Sequence, residues 1–197
     1  MYDDTFESTA LPVGRPTLAV ICGLPATGKS TLAGELHRET GWPLLSKDEF
    51  KELLFDAGEH DHETFTRTQS MVIGRQALAL LFRVARQFLE AGHNCIVEAN
   101  FLPHLASADF DPLRSLADIR QIHCVVPDAI VLARYRERAE AGRRHRVHID
   151  VEAGKELVVR LKDGAGQPLP LTGSLLQVDT TDGYQPNLCG IVDFLAR

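Results

Sequence analysis

Residues 23–30 read Gly-Leu-Pro-Ala-Thr-Gly-Lys-Ser, which is the G-x-x-x-x-G-K-S pattern of a phosphate-binding loop. The residue types dictate the chemistry. Gly23 and Gly28 can take backbone angles that residues with side chains avoid. The loop N–H groups, those of Ala26 and Thr27 among them, can then converge on phosphate oxygens at the positive end of a helix. Lys29 can reach the β- and γ-phosphates of a nucleotide, and Ser30 can offer its hydroxyl to Mg²⁺. Thr31 starts the helix behind the loop. The context is the required one, because the apolar run Leu18 to Cys22 precedes the loop and a helical pattern follows it.

Other residues gain meaning from this loop. Asp48 follows a short strand, where a carboxylate can align an acceptor hydroxyl or accept its proton. It could equally serve as a first-turn helix charge. Glu98 ends the run Cys95-Ile96-Val97, the position of an acid that supports Mg²⁺ or contacts an acceptor. Asn100 could orient substrate or shape a turn. The segment 134–146 holds Arg134, Arg136, Arg138, Arg143, Arg144 and Arg146. Arg134 and Arg138 are four apart and share a helix face. Such guanidinium groups suit phosphates, and a lid bearing them, expected at about 138–150, would exclude water and neutralise transferring charge. Arg136 reads as solvated. His60, His62, His145 and His148 have no spacing that demands a metal.

The elements that must position these residues alternate between strand and helix. Strands are expected at about 17–22, 44–46, 94–98, 119–126 and 175–179. Helices are expected at about 29–40, 47–57, 63–91, 103–117, 127–141, 150–162 and 186–196. On the long helix, Ile73, Ala77, Leu80, Leu81, Val84 and Phe88 have helical spacing. On the helix before it, Phe50, Leu53 and Leu54 define the apolar face. Residues 1–16 read as a loose arm, and 17–197 as one domain. The alternation implies a parallel sheet with helices on both faces.

Composition narrows the class. The 197 residues are 44% hydrophobic, enough for a sizeable core, and carry a formal net charge of −6. That balance disfavours sequence-independent nucleic-acid binding. Cys22, Cys95, Cys124 and Cys189 form no C-x-x-C pair, and three fall in strands, where cysteine acts as a small hydrophobe. The chain lacks an apolar run long enough to span a membrane and a signal-peptide layout at its start. A cytoplasmic enzyme is the expectation. Oligomeric state leaves no mark.

Residues 23–33, Ser46-Lys47-Asp48 and Ile96 to Phe101 together resemble the small P-loop kinases often labelled AAA-family ATPases. These are similar to the zeta-toxin, chloramphenicol phosphotransferase, gluconate kinase and polynucleotide kinase groups. Val126-Pro127-Asp128 with Arg134 and Arg138 resembles the lid entrance of adenylate-kinase-type enzymes. Leu176 to Thr181 resembles the family's last strand and base-side loop. The resemblance covers about residues 17–195. It implies an α/β P-loop NTPase fold: three α/β/α layers, a five-stranded parallel sheet in the order 2-3-1-4-5, and an arginine-rich lid. It places Arg134 on the base, Arg138 on the phosphates and Thr181 beside the nucleotide. The implied activity is ATP-dependent, Mg²⁺-requiring phosphoryl transfer to a hydroxyl of a small molecule. Alternatives are a nucleotide-binding regulatory switch and a nucleic-acid-end kinase. Polynucleotide kinases tend to carry Asp-x-Thr-Asn where this chain has Glu98-Ala99-Asn100-Phe101, which weakens the second alternative.

Overall fold

The computed structural model describes residues 14–60, 63–142, 144–162 and 166–197. Most of the expected arm, together with His62, Arg143 and residues 163–165, lies outside them. The described chain alternates strand and helix. Its elements are β1 (Thr17–Cys22), α1 (Lys29–Thr40), β2 (Leu44–Ser46), α2 (Lys47–Asp56), α3 (Arg67–Glu90), β3 (Cys95–Glu98) and α4 (Pro103–Arg114). Then come β4 (Asp118–Val125), α5 (Asp128–Glu140), a 3₁₀ turn (Arg146–His148), α6 (Asp150–Lys162), β5 (Ser174–Asp179) and α7 (Leu188–Ala196). All strand pairs are parallel, and the sheet order is β2-β3-β1-β4-β5. This is the order implied by the resemblance.

β1 is buried because it is the central strand and both its faces are covered. Side chains alternate across a strand. Leu18, Val20 and Cys22 therefore point to one face and join Leu81, Ala85 and Leu89 of α3 and Phe110 and Leu113 of α4. Ala19 and Ile21 point to the other and join Leu32, Ala33 and Leu36 of α1 and Ile191 and Leu195 of α7. Three layers result. Two smaller clusters lie above the strand ends. Phe55, Ile73 and Val147 tie the 3₁₀ turn to α2 and α3. Val131, Tyr135 and Leu157 join α5 to α6.

The helix boundaries follow local chemistry. α1 ends at Gly41, in a left-handed conformation at φ 70°, whose N–H returns to the His37 carbonyl. α3 starts four residues later than its periodicity suggests. Thr66 caps it: its hydroxyl accepts from the Gln69 N–H, while the Gln69 side chain accepts from the Thr66 N–H. This T-x-x-Q capping box was readable from residue types alone.

Two apolar faces differ from the periodicity reading. In α3 the buried stripe runs Ile73, Ala77, Leu81, Ala85, Leu89, whereas Leu80 is 38% exposed. Alanines alternate with larger apolar residues along this inner stripe, and Leu80 lies on its flank. In α2, Phe55 is fully buried and Leu53 is 62% exposed. Leu81→Ala should therefore destabilise by about 2–5 kcal/mol, as a buried large-to-small change does. Leu80→Ala should cost less than about 1 kcal/mol. Chemical denaturation of both variants checks this; equal losses would contradict the observed stripe.

Candidate active site

Parallel strands end together, so the loops after β1, β2, β3 and β5 gather at one edge of the sheet. The loop after β1 is locked by its neighbours. Gly23 has φ 141°, and a Cβ there would lie 2.5 Å from the Cys124 carbonyl oxygen. Gly28 has φ 77°, and a Cβ there would lie 3.1 Å from Thr180 Oγ1. Ala26 is left-handed at φ 66° despite its side chain, a conformation that costs about 1–3 kcal/mol and gathers at functional sites. Thr27 donates its hydroxyl to the Leu24 carbonyl at 2.8 Å, and Thr180 donates its own to the Thr27 carbonyl at 2.8 Å. The loop is thus held from within and from the β5–α7 connection. α1 begins at Lys29, so its first-turn N–H groups face the loop mouth.

The parallel register sets Glu98 beside both Ile21 and Ser46. Glu98 is buried, accepts from Ser46 Oγ at 3.0 Å and lies 3.7 Å from Lys29 Nζ. Lys29 also donates to the Leu24 carbonyl at 3.2 Å. Ser30 and Thr31 are exposed at the start of α1. Ser30 lines all three cavities of this edge.

Asp48 opens α2 directly after β2. Its side chain is 42% exposed, and it meets Lys47 at 3.1 Å and Arg144 at 2.9 Å. Partial burial pushes its carboxyl up, but the surrounding cations, Lys47 foremost and Arg144 and Lys29 after it, hold it well below the usual carboxylate range. Arg144 spans two carboxylates, donating to Asp150 at 2.6 Å and to Asp48 at 2.9 Å. Asp48 faces the cleft with Ser30 and Glu98 rather than bulk solvent behind its helix.

The arginines of α5 part company. Arg134 donates to the carbonyls of Thr180 and Thr181, both at 2.9 Å, tying α5 to the loop after β5. Arg138 lies over the Tyr135 ring at 5.3 Å. Its Nη2 is buried and has no hydrogen-bond partner among the described residues. Arg146 is exposed. Among the described residues, no group of three or more histidine, cysteine and carboxylate side chains could hold a metal. His145 pairs with Asp56 and His148 with Glu52 on α2, and burial drives His148 down to about 3, so it is neutral.

Three connected spaces share this edge. A cavity of about 430 Å³ lies over the loop, walled by Ala26, Gly28, Arg134, Thr180 and Tyr184. Thr180, next to Thr181 in the loop after β5, lines this cavity. Lys29, Ser30 and Arg138 belong both to it and to an inner cavity of about 90 Å³, which continues past Asp48 and Asn100. The third space, about 790 Å³, opens from Ser30 and Asp48 towards Glu49, Glu52 and Glu137. A separate groove of about 720 Å³, beside Trp42, Phe88 and His93, lies near the opposite ends of the strands.

Both expected partners suit these residues. The buried Nη2 of Arg138 has no acceptor among the described residues, and a phosphate oxygen in the cavity it shares with Lys29 would be a suitable one. A serine hydroxyl and a carboxylate are the hard oxygen donors Mg²⁺ takes. Sequence reasoning missed Lys51, Arg67 and Arg160, which line the inner cavity. Lys51 did leave a signal, since it lies one helical turn beyond Lys47. Arg67 and Arg160 left none, because only the tertiary fold brings them in.

A family model described as an AAA domain matches residues 18–161. A proposed kinase of Chloroflexus aurantiacus is 33% identical, with a TM-score of 0.76 over 93% of this chain and 98% of its own. A sugar kinase of Janibacter sp. is 16% identical, with a TM-score of 0.59 over 93% and 95%. The APS kinase CysC of Mycobacterium tuberculosis, in complex with AMPPNP and APS, is 19% identical, with a TM-score of 0.53 over 93% and 99%. These last two likenesses show the fold alone. No curated protein matches the sequence. The locked phosphate-binding loop, the sheet order and the family match together place this chain in the AAA domain family, as a small P-loop kinase.

Proposed function

We propose that the chain transfers the γ-phosphoryl group of ATP, with Mg²⁺, to a hydroxyl of a small molecule. The observation that carries this reading is that Lys29, Ser30, Asp48 and Arg138 all line the inner cavity, the Arg138 Nη2 buried with no hydrogen-bond partner among the described residues. Lys29 and the loop N–H groups hold the phosphates. Tyr184 and Thr180 wall the nucleotide side, and Arg134 fixes that wall by gripping the backbone of the loop after β5. Ser30 and Glu98 would hold Mg²⁺, which supplies charge neutralisation between the phosphates. Arg138 offers its free N–H to the transferring group.

Asp48 takes the acceptor hydroxyl. Its depressed pKa makes it a weak proton acceptor, so its part is alignment by a charge-assisted hydrogen bond more than deprotonation. Loose, dissociative phosphoryl transfer needs little base strength and much positioning. The connection carrying Arg144 and Val147 acts as the lid. Val147 seats it in the Phe55 and Ile73 cluster, and Arg144 clips it to Asp48.

No helix among the described residues is long and apolar enough to cross a membrane. That fits a cytoplasmic enzyme working on diffusible substrates. The net charge of −6 argues against a nucleic-acid acceptor.

ADP release measured with Mg²⁺-ATP against antibiotics, sugars, nucleosides and oligonucleotide ends tests the assignment. Acceptor-dependent release with a small hydroxyl compound is expected. Slow release that no acceptor stimulates would point to a regulatory switch instead. Lys29→Ala should keep its circular dichroism and lose at least about 10²-fold in turnover, as loss of a charge-stabilising donor does. A folded, fully active variant would remove the kinase mechanism. Asp48→Asn should retain ATP affinity and lose about 10²–10⁴-fold in single-turnover transfer. Preserved transfer with a stability change below about 1 kcal/mol would reduce Asp48 to a helix-start charge.

A further inference from the structure

The inner cavity beyond Asp48 is walled by cations from four parts of the fold. Lys47 and Lys51 come from successive turns of α2, Arg67 from the start of α3, Arg144 from the lid connection and Arg160 from α6. Lys29 and Arg138 serve the nucleotide side and Glu98 the metal. Five cations then face two lining carboxylates, Asp48 and Glu156. Lys51, Arg67 and Arg160 line the inner cavity and not the space over the loop, so they lie past the point of transfer.

Lys51 is the sharpest sign of an absent partner charge. Its side chain is buried, and its ammonium donates to Ser70 Oγ at 2.7 Å and to the Val147 carbonyl at 3.1 Å, both neutral oxygens. Ser70 donates its own proton to the same carbonyl, so it relays no negative charge. Arg67 is engaged by Glu156 at 2.8 and 2.6 Å and also points an N–H towards Ser70 at 3.4 Å. Burial, with Lys47, Arg67 and Arg144 close by, pushes the Lys51 ammonium down to about 7 although Asp48 draws it up. A buried cation among cations is unfavourable until an anion joins it.

We propose that the acceptor is itself an anion: a small hydroxyl compound whose carboxylate or phosphate docks among Lys51, Arg67 and Arg160 while its hydroxyl meets Asp48. This rests on the phosphotransferase reading. Calorimetry on protein saturated with Mg²⁺ and a non-hydrolysable ATP analogue tests it, because the analogue occupies Lys29 and Arg138. Glycolate, inorganic phosphate and ethylene glycol are titrated at constant ionic strength. Saturable binding of glycolate or phosphate, but not of ethylene glycol, is expected, and which anion binds identifies the carboxylate or phosphate form. Lys51→Met should weaken that binding at least tenfold and leave analogue affinity within twofold. Arg160→Gln, at a side chain 31% exposed, should weaken it as well and keeps the test open if Lys51→Met does not fold. Anion binding absent from the analogue-loaded protein, or unchanged in the folded variants, overturns the proposal alone. Failure of the analogue to bind overturns the phosphotransferase reading, and this proposal with it.

Discussion

The site depends first on the tight seat of the loop between β1 and α1. Three successive constraints meet there. The Cys124 carbonyl leaves no room for a Cβ at Gly23, Thr180 packs against Gly28, and Ala26 accepts a left-handed backbone. A phosphate site made of backbone N–H groups works only if the backbone cannot relax around a smaller or larger ligand. The neighbours that enforce this, β4 and the loop after β5, lie far along the chain. The first functional motif is therefore completed by its last strand, through the Thr180 to Thr27 hydrogen bond.

Charge is the second organising theme. Asp48 and Glu98 are neighbours of cations by construction, since the strand register brings Glu98 to Ser46 and α2 brings Asp48 to Lys47. The Arg144 bridge then makes the state of Asp48 depend on a connection almost one hundred residues away. The protein is acidic overall, so this basic interior of the cleft is a local arrangement and not a reflection of bulk composition.

Much of this was legible in residue order. The loop motif has fixed spacing, the buried strands are short apolar runs, and strand ends locate Asp48 and Glu98. These signals are local, and local signals survive translation into three dimensions. What escaped was set by packing. Leu80 and Leu81 are equally apolar, and only the angle at which α3 lies on the sheet chooses between them. Arg67 reaches the cleft through its fork on Glu156 of α6. Arg134, placed on the base by resemblance, also holds carbonyls of the loop after β5, a contact that no spacing rule contains.

The central position of β1 bears on how the molecule is made. Leu18 pairs with Cys95 on one side and with Ile119 on the other. Among the described elements, β1 thus has no strand partner until α1, β2, α2 and α3 have been made and β3 follows. Such distant pairings raise contact order and slow folding. Meanwhile the run Thr17 to Cys22 stays an unpaired, β-prone, uncharged segment of the kind that associates with other chains. The geometry that places the phosphate loop at the heart of the sheet thereby makes its own strand the stretch most in need of shelter during synthesis.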